Sequence, residues 1–190
     1  VLSFGLEIFR ERIIMRYHFT DKEIKELLSS IVILIDTREN ENTHICNYLS
    51  QKKIPYESKK LDYGDYSVLL PKNEELGVNR DIFFDNSVIV ERKGSLSELA
   101  GNLTKDRTRF ESELIRAKGA NIALMIENAT YSDLVMGRYR SDYNAKSFVA
   151  TLATYSARYG LDVNFVEKEL AGNWIYHRLY YAVREELLHG

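Results

Sequence analysis

Apolar residues fall along this chain in two rhythms, and the rhythm predicts the element. "IVILID" (31–36) and "NIALMIE" (121–127) are unbroken apolar runs of strand length, the kind buried on both faces of a sheet. "LDVNFV" (161–166) reads as a shorter strand. In "YESKKLDYGDYSVLL" Gly64 marks a bend between two strand-like pieces, and "NRDIFFDNSVIVERK" reads as strand, turn at Asp85-Asn86, strand. Elsewhere the spacing is three and four. Ile24, Leu27 and Leu28 follow Asp21, the expected N-cap of a short helix. Ile45, Tyr48 and Leu49 give a helix over 42–53, ended by Pro55. Leu96, Leu99 and Leu103 give a third, and a fourth spans about 107–118. Phe148, Leu152 and Tyr155 lie between an Asn144 N-cap and Gly160, and a last helix runs from about 169 to 188.

Strands alternating with helices predict an α/β chain with a mixed central sheet flanked by helices on both faces. With 190 residues, one domain is expected over 21–190, its core at about 30–170, behind an N-terminal extension over 1–20. Residues 1–14 are apolar, but Glu7, Arg10, Glu11 and Arg12 interrupt them and no small-residue cleavage site follows. The segment reads either as an added extension or as a helix packed on the domain. No run reaches the length of a membrane-spanning helix, so no membrane partner is expected. The lone Cys46 permits neither an intrachain disulfide nor a Cys-rich metal site, and a reducing, cytoplasmic location fits best. A net charge of −2 means that any nucleic-acid surface must come from local segregation of charge.

One strand breaks the apolar rule at its end: "VIV" runs straight into Glu91, Arg92 and Lys93. Strand side chains alternate faces, so Glu91 and Lys93 share one and Arg92 takes the other. A carboxylate beside an ammonium suits metal-assisted phosphodiester hydrolysis, in which the carboxylate holds a divalent cation and the lysine supports the nucleophile or the developing charge. Mg²⁺ requires several oxygen ligands, so a second carboxylate is needed. Asp65 is the first candidate, because the Gly64 bend can carry it against Glu91. Asp36, at the carboxyl end of the first strand, is the next.

"GDY" at 64–66 and "VIVERK" at 88–93, preceded by "LIDTRE" at 34–39, resemble the XPF-type nuclease domain, a branch of the restriction-endonuclease-like PD-(D/E)xK superfamily. Its members carry a G-D motif, a strand ending in E-R-K, then three residues and an Asp. The resemblance covers about residues 30–170. It implies a restriction-endonuclease-like core and a Mg²⁺- or Mn²⁺-dependent endonuclease acting on branched DNA such as flaps, forks and bubbles, in repair or recombination. It further implies that Asp65 and Glu91 bind metal with the Arg92 carbonyl as backbone ligand, that Lys93 is the catalytic lysine, and that Asp36 binds the ion directly or through water. Arg38 and Glu39 match the polar pair after the first strand, and the Arg92 side chain anchors the site by ion pairing. The last motif Asp is replaced by Ser97, with Glu98 adjacent. That departure keeps a second reading in view, a catalytically silent nuclease fold that binds DNA or protein.

Beyond the motif, Lys105, Arg109 and Arg116 are expected on one face of a helix starting near Thr104, opposite Phe110, Leu114 and Ala117. This face is either a track for DNA phosphates or a solvated surface laced with Glu111 and Glu113. "DRTRF" leaves Arg107 and Arg109 competing for the family's next arginine. Arg138, Arg140 and Lys146, with Tyr139 and Tyr143, form a second basic and aromatic cluster. His44, His177 and His189 are isolated, with core or surface roles expected. Trp174, Tyr176, Tyr180 and Tyr181 give the last helix surplus aromatic surface, for a homodimer contact or for packing onto the sheet.

Overall fold

The computed structural model describes residues 18–189; the segment 1–17, and with it most of the expected extension, lies outside the described residues. The described strands are β1 (Val32–Ile35), β2 (Tyr56–Ser58), β3 (Tyr66–Leu70), β4 (Ile82–Phe83), β5 (Val88–Lys93), β6 (Asn121–Glu127) and β7 (Asp162–Val166). The helices are α1 (Asp21–Ser29), α2 (Thr43–Gln51), α3 (Leu96–Thr104), α4 (Arg107–Arg116), α5 (Tyr131–Val135), α6 (Ala145–Tyr159) and α7 (Ala171–His189). The strands form one mixed sheet in the order β2-β1-β3-β5-β6-β7, with β4 paired to β3.

Strand direction decides where chemistry can gather. β3 is antiparallel to both β1 and β5, whereas β5, β6 and β7 run parallel. One edge of the sheet therefore collects the carboxyl ends of β1, β5 and β6 together with the amino end of β3. Asp36, Lys93, Glu127 and Asp65 stand on that edge, which is where parallel strands place ligands.

Each sheet face has its own core, as the strand alternation requires. Ile33, Ile35, Tyr66, Val68, Val90 and Met125 pack under α1, α2 and α7. Ile89, Ile122, Leu124 and Ile126 pack under α3, α4 and α6. The α2 and α7 contact is close: a Cβ on Gly172 would lie 2.7 Å from the Cβ of Tyr48.

The helices and strands read from periodicity are present, with shifts that have local causes. Thr20, not Asp21, caps α1, because its hydroxyl accepts from the Glu23 amide while Glu23 reaches back to the Thr20 amide. Asn144 caps α6 through its side chain and Gly160 ends it at φ +70°. β4 and β5 pair in succession along the same edge of β3, at Leu70–Leu69 and then Tyr66, so the turn at Asp85-Asn86 interrupts one run beside β3 instead of closing a hairpin. Chain direction breaks between α3 and α4 at Lys105 and Asp106, which removes Lys105 from the helix that carries Arg109 and Arg116. The short α5 is five residues long and carries one buried apolar position, Leu134, too few for periodicity to reveal.

Gly64 takes φ +73°, and an added Cβ there would lie 2.1 Å from Cγ2 of Ile89 and 3.3 Å from the Val90 carbonyl oxygen. Left-handed geometry and a shared wall with β5 both demand glycine. Gly64→Ala is expected to destabilise the fold by about 2 kcal/mol or more, combining backbone strain with overpacking. Urea denaturation followed by circular dichroism measures it.

Candidate active site

Tyr66 on β3 faces Val90 on β5, and the neighbouring positions Asp65 and Glu91 project to the opposite side of the sheet. The bend at Gly64 brings Asp65 in: its amide donates to the Val90 carbonyl at 2.9 Å. Its carboxylate Oδ2 then accepts the Arg92 amide at 2.7 Å. Asp65 is thus fastened to both sides of Glu91. Burial, then the Glu91 charge, pushes the Asp65 carboxyl well above the ordinary carboxylate range, against the opposing pull of Lys93.

Lys93 shares this face. Its Nζ lies 2.7 Å from Oε1 of Glu91 and 5.7 Å from the centre of the Phe110 ring on α4. Burial disfavours its charge, but Glu91 and Asp65 more than offset that, so the ammonium is held protonated above its ordinary range. Glu91, Arg92 and Lys93 are all buried, at 8%, 7% and 9% exposure, which is unusual enough for three consecutive charges to mark a site.

Asp36 stands next to Asp65, its amide donating to the Asp65 carbonyl at 2.8 Å. Its carboxylate is already engaged: Oδ1 accepts from the amide and Nε of Arg38, at 2.9 and 2.6 Å, and Oδ2 accepts from the Leu61 amide at 2.6 Å. Among the described residues no three Asp, Glu, His or Cys side chains converge as a protein-only metal cage would need. The structure thus brings Asp65, Glu91 and Lys93 together and gives Asp36 to Arg38 and the 61 loop.

The other face explains Arg92. Its guanidinium forks onto Glu127 at the end of β6, Nε and Nη2 each 2.8 Å from a carboxylate oxygen, and its Nη1 reaches Glu39 at 3.0 Å. His44 on α2 completes the cluster at 2.7 Å from Glu127. His44 is therefore paired, contrary to its reading as isolated. Glu127 carries the same signal as Glu91, a carboxylate ending an apolar strand.

After β5 the two neighbouring side chains separate. Ser97 turns from Lys93, and its Oγ accepts the Arg140 amide at 2.9 Å. Glu98 turns toward Lys93, with one oxygen 3.8 Å from Nζ and the other accepting the Gly94 amide at 2.8 Å. Glu113 on α4 also faces the site: burial, then the Glu91 charge, raises its pKa. Both acids fall on helices, where three- and four-residue spacing could have aimed them at β5.

The basic candidates are spread around this edge. Lys105, Arg107, Arg109, Arg116, Arg138, Arg140 and Lys146 are all exposed. Arg109 and Arg116 flank Glu113, and Arg107 lies beside Glu111 and Tyr155. Arg138 is committed to Asp133 at 2.7 Å. Trp174, Tyr176 and Tyr180 pack against the α7 face of the core, leaving Tyr181 exposed. No described helix is long and apolar enough to cross a membrane.

A mixed sheet with a buried E-R-K strand end beside a G-D bend defines an XPF-type nuclease domain. The model of the ERCC4 domain matches residues 35–177, and the chain belongs to that family of nucleases. Among solved structures it is similar to XPF from Aeropyrum pernix, with 22% identity and a TM-score of 0.57 over 80% of this chain and 61% of that one. It is similar to the same protein in a complex with DNA, at 22% identity and a TM-score of 0.57 over 81% of this chain and 66% of that one. The chain thus spans less than two thirds of either. No curated protein sequence matches it.

Burial opposes the Glu127 charge, but the hydrogen bonds from Arg92 and His44 outweigh it and hold the pKa below its ordinary 4.5. A depressed carboxyl stabilises the fold above its unfolded pKa and loses that contribution as pH falls through the folded value. Glu127→Gln is expected to cost about 3 kcal/mol at pH 7 by leaving a buried guanidinium half-paired, and the cost should shrink as pH falls from 4.5 through the lower folded value. Urea midpoints for both proteins between pH 3 and 7 check it.

Proposed function

We propose that this domain is a divalent-metal-dependent endonuclease that hydrolyses phosphodiester bonds in branched DNA such as flaps and forks. The convergence of Asp65, Glu91 and Lys93 on one face, at the edge where β3 and β5 part, carries the reading. The half-buried Asp65, its proton affinity raised by the neighbouring Glu91 charge, and the buried Glu91 together fit a hard dication, which would relieve their repulsion. Strand geometry adds a donor. The Arg92 amide points at Asp65, and since the N–H and C=O of one strand residue face the same way, its carbonyl faces the same gap.

Asp65, Glu91 and the Arg92 carbonyl would hold Mg²⁺ or Mn²⁺, leaving water and phosphate to fill the remaining positions, as Mg²⁺ prefers. When bound, the ion supplies an acidified water and neutralises charge on the phosphate. Lys93, held protonated against Glu91, offers its ammonium to the phosphate oxygens and to the incoming oxygen as charge develops. Asp36, tied to Arg38 and Leu61, holds the turn that presents Asp65 and reaches an ion only through water. Arg92 fixes the strand end from behind. Lys105, Arg107, Arg109, Arg116 and Lys146 would carry neighbouring phosphates of the duplex. Glu98 and Glu113 keep negative charge near Lys93 where Ser97 supplies none.

Labelled flap, fork, bubble and linear DNA incubated with Mg²⁺, Mn²⁺ or EDTA tests this. Cutting of the branched substrates is expected with either metal and not with EDTA, and both Asp65→Ala and Lys93→Ala should reduce it by about 100-fold or more. Cutting that survives Asp65→Ala would remove the proposed site. DNA binding without cutting under any condition would favour the silent module.

A further inference from the structure

We propose that the groove between the start of α3 and the segment after β6 takes the DNA strand that leaves the branch point, with one phosphate on Arg140 and Ser97 as the positioning residue. The inference rests on the nuclease reading above and adds a binding site to it.

The groove encloses about 470 Å³, and Ser95, Ser97, Asn128, Tyr139 and Arg140 are among its lining residues. It adjoins the candidate active site along the chain. One wall begins two residues after Lys93 and the other one residue after Glu127, at the carboxyl ends of adjacent parallel strands. Asn128 opens the second wall in a left-handed turn, φ +53°, with its amide on the Val166 carbonyl at 3.2 Å. Non-glycine residues adopt that conformation uncommonly, asparagine more readily than most.

The charge of the groove comes down to one side chain. The Arg138 guanidinium is neutralised by Asp133 and further held by Ser132, at 2.7 and 2.8 Å. Arg140 makes no ion pair among the described residues, and what fixes it is its own main chain, whose N–H donates to Ser97 Oγ at 2.9 Å. Tyr139 is held edge-on to Phe148, with its hydroxyl on the Tyr143 carbonyl, so the wall beside Arg140 is rigid.

Ser97 therefore has a use that a carboxylate would defeat. A hydroxyl can accept the Arg140 amide and leave the guanidinium charge free for a phosphate. An aspartate at 97 would accept the same bond but bring a negative charge into the groove, cancelling the attraction. The phosphodiester chain is the occupant of matching chemistry: a polyanion already delivered to Lys93, with a positive, uncompensated arginine along the same edge.

The test is fluorescence anisotropy in EDTA, so that no strand is cut. It uses a labelled forked duplex with unpaired arms and a blunt duplex of the same length, between 50 and 200 mM KCl. Arg140→Ala is expected to bind the fork about 5- to 10-fold more weakly, with a salt slope lower by roughly 0.7 to 0.9 for one lost phosphate contact. Ser97→Asp should weaken fork binding similarly and Ser97→Ala less. Blunt-duplex binding should stay within about twofold, and melting temperatures should hold, since Arg140 is exposed and an acid in a helix's first turn is favourable. Fork affinity and slope unchanged in Arg140→Ala and Ser97→Asp would overturn the proposal. So would equal loss on both DNAs, or no fork binding by the wild type. A wild type that never cuts with Mg²⁺, yet loses fork binding through Arg140→Ala, would refute the nuclease reading and leave the strand groove standing.

Discussion

The arrangement depends on how a buried arginine is paid for. Arg92 sits in the middle of three consecutive buried charges, and burial of a guanidinium is tolerable only with partners of good geometry. Glu127 and Glu39 provide them on one side of the sheet, with the forked, bidentate approach that arginine favours. On the other side the backbone amide of the same residue holds Asp65. The side chain and main chain of Arg92 thus bind opposite faces, and the ion pair under α2 and α7 fixes the strand whose edge presents the carboxylates. Replacing the pair with apolar residues would keep the β5–β6 ladder but remove the ion pairs that tie the β5 end to Glu127 and Glu39.

Much of the fold was legible because each sheet layer is apolar in a regular way. Runs buried on both faces announced β1, β5 and β6, and three- and four-residue spacing announced six of the helices. The alternation rule placed Glu91 and Lys93 together and Arg92 opposite before any pairing was known, because that rule needs only the strand. The Gly64 bend was legible for a similar reason, since glycine is the residue that a left-handed turn pressed against another strand demands.

What stayed hidden depended on tertiary register. Nothing local tells that Glu127 lies across from Arg92, or that His44 on α2 reaches over to Glu127; those contacts span 35 and 83 residues. The commitment of Asp36 to Arg38 and Leu61 is equally invisible, since a loop 25 residues away supplies one donor. Ser97 and Glu98 could be named as neighbours, but their division between Arg140 and Lys93 follows from where α3 starts. The two helices on either side of Lys105 and Asp106 were legible, but spacing alone puts Lys105 in the second of them, because the exact place of the corner follows from how both helices pack on one sheet face.

The same long separations have a kinetic meaning. During synthesis the ribosome delivers Asp36, Asp65 and the E-R-K strand well before Glu127, so for a time Arg92 has no partner on β6 and β5 has no parallel neighbour. Contacts of such high order form slowly and cooperatively, after much chain entropy has been lost. The nuclease face is consequently a property of the completed sheet, and an unfinished chain exposes the acidic residues without the geometry that would let them act on nucleic acid.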